Sequence, residues 1–292
     1  MAKKAEEKKV EVETKKTTTK KVVKKEVVKK TPVKKVAAKK EVEEIKVEAV
    51  VEEKKVEKEV KPQVGVTVEQ LFEAGAHFGH VVKKWNPKMK KYLWGEKNGV
   101  HIFDLEITLS KLAEATKEIN QAASSGKRIV VVGTKRQVKP MIEEMAKRIG
   151  VSYLSQRWMG GLITNWKQVR QTIERLVSLR SKRDSGQLKK YTKKEQVLFD
   201  KEIARLERVV GGLVNLRDVP EMVIVFDTHK ERLAVKEAKS RGVKVVGLVD
   251  SNSNPDMVDF IIPMNDDSVK GLEIVVKEVE TALSLGLKDI KK

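Results

Sequence analysis

The second half of the chain constrains the fold most, because short apolar runs alternate there with helical patterns. Residues 129–132 and 222–226 are apolar at consecutive positions, which is typical of strands buried on both faces. Similar runs occupy residues 151–154, 243–249 and 260–262, and helical patterns occupy residues 138–149, 230–241 and 267–285. Strands that alternate with helices predict a doubly wound α/β domain around a mostly parallel sheet.

Two further helical patterns interrupt this alternation between residues 166 and 210. Apolar residues recur there every three or four positions, in two sets: Trp166, Val169, Ile173 and Leu176, then Phe199, Ile203, Leu206 and Val210. We therefore expect an antiparallel helical hairpin inserted into a flavodoxin- or Rossmann-like domain. The joining loop carries six basic residues: Lys182, Arg183, Lys189, Lys190, Lys193 and Lys194. This basic tip either contacts phosphate groups or is only solvated, and the sequence leaves both alternatives open.

Smaller elements are predicted ahead of this domain. Thr67 and Gln70 have the spacing of a capping box, which predicts a short helix that ends near Gly79. The Asn98-Gly99 pair lies between two strand-like runs and predicts a β-hairpin. Residues 107–124 have the apolar spacing of an amphipathic helix.

The first sixty residues differ from the rest in composition. They contain twenty lysines and thirteen glutamates, and no arginine, aromatic residue or glycine. Such a segment buries too little apolar area to offset chain entropy, so residues 1–62 are predicted to be a disordered extension of a domain at 63–292. Residues 1–40 have a net charge of +11, which suits contact with nucleic acid. A solvated tail without a fixed partner fits this composition equally well.

Charge and residue content narrow the classes of function. The net charge of +20 favours a polyanionic partner. Because the chain has no cysteine, a disulfide scaffold, a thiol nucleophile and a thiolate zinc site are excluded. No apolar run reaches the length of a membrane span, and the N-terminus lacks the apolar core of a signal peptide. We therefore expect a cytoplasmic protein.

Residues 83–94 combine lysines with aromatic rings, in a chain that has only thirteen aromatic residues. Lysine neutralises phosphate, and an indole ring can stack on an exposed base. Pro87 is expected to hold an extended or turn geometry, so that the nearby lysines project instead of winding into a helix. Trp85 either stacks on RNA or packs at the edge of the core, with packing slightly favoured. The candidate RNA-binding residues in and near this segment are Lys83, Lys84, Trp85, Asn86, Lys88, Lys90, Lys91 and Lys97.

An enzyme is the alternative, because domains of this type often bind nucleotides where strands end. The loop at 133–137 follows a strand and opens a helix, which is the context of a phosphate site, but it lacks the glycine series of nucleotide-binding loops. Asp227 and Asp250 also end strands, where an aspartate more commonly caps the following turn than acts in catalysis. A nucleotide- or sugar-phosphate-binding enzyme therefore rests on fold analogy alone.

Two histidines, His77 and His80, are weak candidates for a metal site, since their spacing could place both on one face of a helix. No third ligand stands out near them in the sequence. We therefore expect these side chains to pack or to bond to the backbone, and we expect no metal and no other cofactor.

Eight ordered motifs, spread from about residue 66 to about residue 285, carry a family resemblance. They are LFEAGAHFGH at 71–80, WNPKMK at 85–90, GVHIFD at 99–104, GTKRQ at 133–137, RWMGGLITN at 157–165, DTHKE at 227–231, DSN and NPD within 250–256, and NDD at 265–267. In this order they resemble the family of bacterial small-subunit ribosomal protein S2.

The resemblance implies an α/β domain with an inserted helical hairpin and a structural, non-catalytic role. It implies contacts with small-subunit rRNA between head and body, with neighbouring ribosomal proteins, and with an S1-type mRNA-binding protein where one is present. No homo-oligomer is expected. Gly160 and Gly161 either allow a close approach to RNA or shape the entry to the hairpin. Further candidate RNA-binding residues lie in the motif loops and at the hairpin tip: Lys135, Arg136, Arg157, Trp158, Lys182, Arg183, Lys189 and Lys190.

Overall fold

A computed structural model describes residues 65–290, which form two sheets and seven α-helices. The antiparallel sheet contains β1 (Phe78–Val81), β2 (Leu93–Lys97) and β3 (Val100–Phe103). The parallel sheet contains β4 (Ile129–Val132), β5 (Ser152–Leu154), β6 (Met222–Val225), β7 (Lys244–Val249) and β8 (Phe260–Pro263). The helices are α1 (Val68–Glu73), α2 (Leu105–Ser124), α3 (Lys139–Ile149), α4 (Trp166–Asp184), α5 (Lys193–Val210), α6 (Arg232–Ser240) and α7 (Val269–Ile290). The disordered extension predicted for residues 1–62 lies outside the described residues.

The five-stranded sheet is parallel throughout and has the order β5-β4-β6-β7-β8. Every residue of β4 and β6 is buried, as expected when helices cover both faces of a sheet. Among these five strands the order is 2-1-3-4-5 along the chain, which is the flavodoxin-like arrangement. The predicted α/β class with its parallel sheet is therefore confirmed.

Alternate side chains of this sheet divide the core between its two faces. Val131 packs on one face with helices α2, α3 and α7. Val130 packs on the other face with α4, α5 and α6. Met89 and Tyr92 belong to this second cluster. The lysine- and aromatic-rich segment 83–94 is therefore anchored on the same face as the helical hairpin.

The small antiparallel sheet contains the predicted β-hairpin, formed by β2 and β3. Its turn residues Asn98 and Gly99 have φ angles of 55° and 75°. Positive φ at both central residues is the requirement of the tightest hairpin turn, and an Asn-Gly pair meets it at low cost.

The predicted capping box of Thr67 and Gln70 is present and begins α1, but this helix is shorter than expected and already ends at Glu73. Residues 78–81 form β1 instead. They pair with β3, and the amide of His80 donates to Ser251 Oγ, 171 residues further along the chain. The local apolar spacing carries no information about so distant a partner, so the sequence pattern could not predict strand β1.

The predicted helical hairpin is present as α4 and α5, whose apolar residues pack together as a seam. The ion pair between Arg175 and Glu202 links the two helices. The connection is shorter than expected, because α4 continues to Asp184 and α5 begins at Lys193.

None of the helices in the described part of the chain combines the length and the apolar character that a membrane span requires.

Candidate nucleic-acid interface

The crevice in which a flavodoxin-like sheet binds ligands is bridged by hydrogen bonds between side chains of this protein. That crevice lies where the strand order reverses, between the carboxyl ends of β4 and β6. Thr134 Oγ1, after β4, donates to the buried carboxylate of Glu231, after β6. Lys230 Nζ donates to the Thr134 carbonyl over 3.0 Å. These bonds engage the polar side chains at this crevice with one another.

The small sheet docks at the same edge of the large one. The amide of His80 donates to Ser251 Oγ over 2.8 Å, and the amide of Asn86 donates to the Ser251 carbonyl over 2.7 Å. Further along, the amide of Asn265 donates to the Ala76 carbonyl over 3.0 Å. The strand ends that carry catalytic loops in related folds are therefore engaged in holding the two sheets together.

The two aspartates at strand ends have structural partners. Asp227 Oδ1 accepts a hydrogen bond from the Lys230 amide, which caps the turn before α6. Asp250 is buried and accepts from the amides of Ser251 and Asp266. The cap, which was the commoner of the two expected roles, is shown for Asp227, whereas Asp250 joins its strand end to the loop at Asp266.

His80 lies 3.1 Å from Asp250 through its Nδ1 atom, and Asp266 adjoins the same pair. The hydrogen bond to Asp250 raises the pKa of His80, and the protonated ring lowers the pKa of Asp250 in spite of burial. One ligand atom from each of the three residues lies within 4.8 Å of the others, so this set could hold a cation. Sequence reasoning missed the two aspartates because they lie about 170 and 186 residues after the histidine.

His77 lies apart from this cluster. Because residues 78–81 form a strand, the two histidines do not share a helix face. The ring of His77 is buried and stacks on Phe72 at a centroid distance of 4.3 Å, with Phe78 on the neighbouring side at 4.0 Å. Burial lowers the pKa of His77. The expectation that both rings pack or bond to the backbone is confirmed for His77 and wrong for His80, whose ring bonds to the Asp250 carboxylate.

The segment 83–94 is helical over Pro87–Tyr92, contrary to the expectation that Pro87 would prevent winding. Residues Pro87–Tyr92 form a 3₁₀-helix that Pro87 begins, where no amide hydrogen is needed. Asn86 caps this turn by accepting from the Lys88 amide over 3.1 Å. Met89 and Tyr92 are buried and anchor the segment. The lysines between the anchors point outward all the same.

The lysines of the segment 83–94 differ in whether they have an ion-pair partner. Lys83, Lys84, Lys90 and Lys91 are exposed, and none of these four has an ion-pair partner among residues 65–290. Lys88 is also exposed, but its ammonium group pairs with the carboxylate of Asp256. Lys97 is exposed at the hairpin turn.

The aromatic rings of the segment also divide into packed and free. Trp85 is half-buried, and its ring lies 4.6 Å from that of His101, so it packs at the core edge as the favoured alternative predicted. Trp94 is 74% exposed. It is the extra residue of a β-bulge between β2 and β3, and bulges turn side chains away from the ladder. Trp94 was not among the predicted contacts, because a bulge cannot be located from the sequence of one strand.

Lys135 and Arg136 are placed differently although they are neighbours. The Lys135 ammonium lies 2.7 Å from Asp266 and 2.5 Å from Asp267. Burial opposes its charge, but these hydrogen bonds outweigh burial and raise the pKa of Lys135. Its charge is therefore used inside the protein, which does not favour the predicted RNA contact. Arg136 is exposed.

Arg157 is exposed, whereas Trp158 is only 4% exposed. The Trp158 Nε1 group donates to Glu237 over 3.4 Å, and the ring packs in the core beside the hairpin. These internal contacts do not favour the predicted RNA contact of Trp158. Gly161 has a φ of +90°, and its amide donates to the same carboxylate over 2.9 Å. Of the two roles considered for the glycines, shaping the entry to the hairpin is the one that these contacts support.

The four basic residues predicted at the hairpin tip, Lys182, Arg183, Lys189 and Lys190, are all exposed. Arg183 lies 3.3 Å from Asp184, an exposed and therefore weak ion pair. The tip is thus a group of accessible cations, separate along the chain from the segment 83–94.

A basic α/β domain whose strand-end crevice is bridged by its own side chains and whose loops expose cations has the character of a structural partner for a polyanion. Residues 71–286 match the family model described as ribosomal protein S2. The fold and this match define a ribosomal protein, a structural class without catalytic activity, so the enzyme alternative is wrong.

More particularly, the chain belongs to the ribosomal protein S2 family. It is 44% identical over 212 residues to the small ribosomal subunit protein uS2 of Chlorobaculum tepidum, which covers 73% of this chain and 85% of the relative. It is 42% identical over 221 residues to the protein of the same name from Acinetobacter baylyi, covering 76% and 89%. The uS2 protein of Francisella tularensis is 42% identical over 216 residues, covering 74% and 90%.

Proposed function

We propose that this chain is a structural component of the small ribosomal subunit in the cytoplasm and binds small-subunit rRNA. The observation that carries the proposal is the segment 83–94, in which buried Met89 and Tyr92 fix a short helix whose lysines face outward. A rigid base lowers the entropy that each lysine loses on binding. The exposed cations of this segment, Lys83, Lys84, Lys90 and Lys91, supply the main phosphate contacts.

Exposed cations elsewhere extend this contact. Arg136, Arg157, Lys97 and the hairpin tip present further positive charge without an internal partner that buries it. Lysine and arginine contacts to phosphate carry no sequence information, so they position the protein on a folded RNA. We propose that the domain and its projecting hairpin contact RNA of both head and body, beside neighbouring ribosomal proteins.

Exposed aromatic rings support a docking role as well. Phe72, Phe78 and Trp94 are 59%, 50% and 74% exposed. Contiguous apolar patches left in solvent are typical of contact sites, and Phe72 and Phe78 adjoin each other through the ring of His77. We propose that they contribute to the platform on which mRNA and an S1-type mRNA-binding protein dock, where such a partner is present.

The test is a binding measurement with four lysines neutralised together. We expect weaker binding to small subunits depleted of this protein when four lysines are replaced together: Lys83→Gln, Lys84→Gln, Lys90→Gln and Lys91→Gln. Because about 0.7–0.9 counterions are released per phosphate neutralised, the slope of log affinity against log salt should fall by about 3. Co-sedimentation at several salt concentrations measures both quantities.

The matched control neutralises four exposed lysines on, or in the turn directly after, the helices that cover the other face of the large sheet. Lys127, Lys147, Lys270 and Lys277 have no ion-pair partner among the described residues. Their replacement by glutamine changes the net charge equally and should leave the salt slope within error. Equal losses in both variants would show that only total charge matters and would contradict the proposal.

A further inference from the structure

Helix α6 and its flanking turns expose only positive charge. Lys230, Arg232, Lys236, Lys239 and Arg241 are all exposed. The two acidic residues of this stretch, Glu231 and Glu237, are buried and turned inward. A solvated helix normally mixes both signs on its outer face, so this separation of charge is unusual for a surface that meets only water.

The inward carboxylate of Glu237 joins α6 to the loop that carries Arg157. It accepts from the Gly161 amide over 2.9 Å and from Thr164 Oγ1 over 3.3 Å. Arg241 donates from its Nη2 atom to the Thr164 carbonyl over 3.2 Å. Glu237, the carboxylate that could offset the positive charge of α6, thus holds the neighbouring loop of Arg157 in place.

The C-terminal half of α6 adjoins the segment 83–94 through Asp256. Lys239 Nζ donates to the Asp256 carbonyl, and Lys88 pairs with the Asp256 carboxylate. The bond to Lys88 and the fields of Lys91 and Lys239 lower the pKa of Asp256. One acid therefore faces three lysines from two segments, and the surface between them keeps a net positive charge.

The two faces of the large sheet differ in charge in the same sense. Helices α4, α5 and α6 contain fourteen basic and seven acidic residues, a net of +7. Helices α2, α3 and α7, on the other face, contain eight basic and nine acidic residues, a net of −1. The basic surface is therefore a property of one face and does not follow from the overall composition.

We infer that the exposed side of α6 is a phosphate-binding surface that joins the segment 83–94 to the Arg157 loop in one RNA-binding face. The inference rests on the proposed function and adds Arg232 and Lys236 as its central contacts. These two side chains have no hydrogen-bond or ion-pair partner among the described residues. Sequence reasoning passed over them because glutamates at 231 and 237 make the stretch look mixed in charge.

The experiment compares two double variants in the full chain. Arg232→Gln with Lys236→Gln should weaken binding to protein-depleted small subunits several-fold and lower the salt slope by about 1.4–1.8, which corresponds to two phosphate contacts. Lys270→Gln with Lys277→Gln, on α7 of the opposite face, is the charge-matched control and should leave the slope unchanged. The exchange Arg232→Lys with Lys236→Arg keeps both charges and should retain the slope.

The variants of the segment 83–94 separate failure of this inference from failure of the proposed function. If those variants lose salt slope while the α6 variant matches the α7 control, α6 does not contact RNA and the inference is overturned. If neither set changes binding, the proposed function itself fails. The second probe is small-subunit rRNA that carries no protein. If the α6 variant loses binding to the small subunits but not to this RNA, α6 contacts a protein partner, which also overturns the inference.

Discussion

The environment of Asp266 strongly changes the pKa of its carboxyl group. Burial and the nearby Asp250 carboxylate raise its pKa to about 7, although the Lys135 ammonium lies 2.7 Å away. An unfolded aspartate has a pKa of about 3.9. Between these values the folded state binds more protons than the unfolded state, so the contribution of this group to stability is present at low pH and lost as pH rises toward 7.

The change Asp266→Asn removes this titration while keeping a carbonyl oxygen for Lys135. We expect the free energy of unfolding of the unchanged chain to fall between pH 5 and 7.5 more steeply than that of the variant. Urea denaturation at each pH, with a chelator to keep the site free of cations, measures the difference. Asp267→Asn, at an exposed neighbour, is the control and should keep the original slope. Parallel slopes for all three chains would refute the argument.

Glu237 gives a second prediction at this scale. Its carboxylate accepts from Trp158, Gly161 and Thr164, so Glu237→Ala leaves these donors without their acceptor. An unsatisfied buried polar group costs about 1–3 kcal/mol, and we expect a loss of unfolding free energy of about 2–3 kcal/mol. Thermal unfolding followed by tryptophan fluorescence measures it. Lys236→Ala, one position earlier and exposed, should change stability by less than about 0.5 kcal/mol. Equal effects would show that the bonds to Glu237 are unimportant.

The sequence predicted which residue types meet RNA better than it predicted which individual residues are free to do so. Lys83, Lys84 and Lys90 are exposed, as their segment indicated. Lys135 and Trp158 were grouped with them but are used internally, because their partners lie 131 and 79 residues away. Local composition carries no information about such distant partners.

At the scale of elements, the contact between helices α2 and α7 depends on one glycine. A Cβ atom on Gly286 would lie 2.6 Å from both the Asn120 carbonyl and Ala123 Cβ. No backbone atom of α2 can move aside without shifting the helix, so Gly286→Ala should cost about 1–3 kcal/mol of stability. This loss exceeds the roughly 1 kcal/mol that alanine gains over glycine in helix propensity. Chemical denaturation measures the balance.

Gly271, in the same helix, is the matched control. A Cβ atom there would meet Met264 Cε at 3.0 Å, the end of a flexible side chain. Gly271→Ala should therefore be neutral or stabilising. If both glycine changes stabilise the protein, the two helices are less closely packed than the structure indicates.

Elements with strong local signals were predictable. The apolar runs of β4 and β6 and the Asn98-Gly99 turn lie where the sequence placed them. β1 was missed because a four-residue strand is stabilised by partners in β3 and in a remote loop. The helical turn at Pro87 was missed because proline also suits the first position of a helix, where its lack of an amide hydrogen has no cost.

At the scale of the whole molecule, the described residues contain both halves of the hydrophobic core. The composition of residues 1–62 offers little apolar area to add to it. We therefore expect deletion of residues 1–62 to change the free energy of unfolding by less than about 0.5 kcal/mol, as for surface changes in general. Thermal denaturation of both chains tests this, and a loss above about 1 kcal/mol would show that the extension packs on the domain.

The docking of the small sheet has a consequence for biosynthesis. Ser268 Oγ donates to the Ala74 carbonyl across 194 positions, and the His80 amide reaches Ser251 across 171. The first residues of this domain to be synthesised therefore lack these two contacts until nearly the whole domain has been made. At about 5–20 residues per second, that interval lasts on the order of ten seconds or more. During it, nascent β1 can pair with β3 but lacks its remote partner Ser251, so its docking edge is a site for chaperone binding or mispairing.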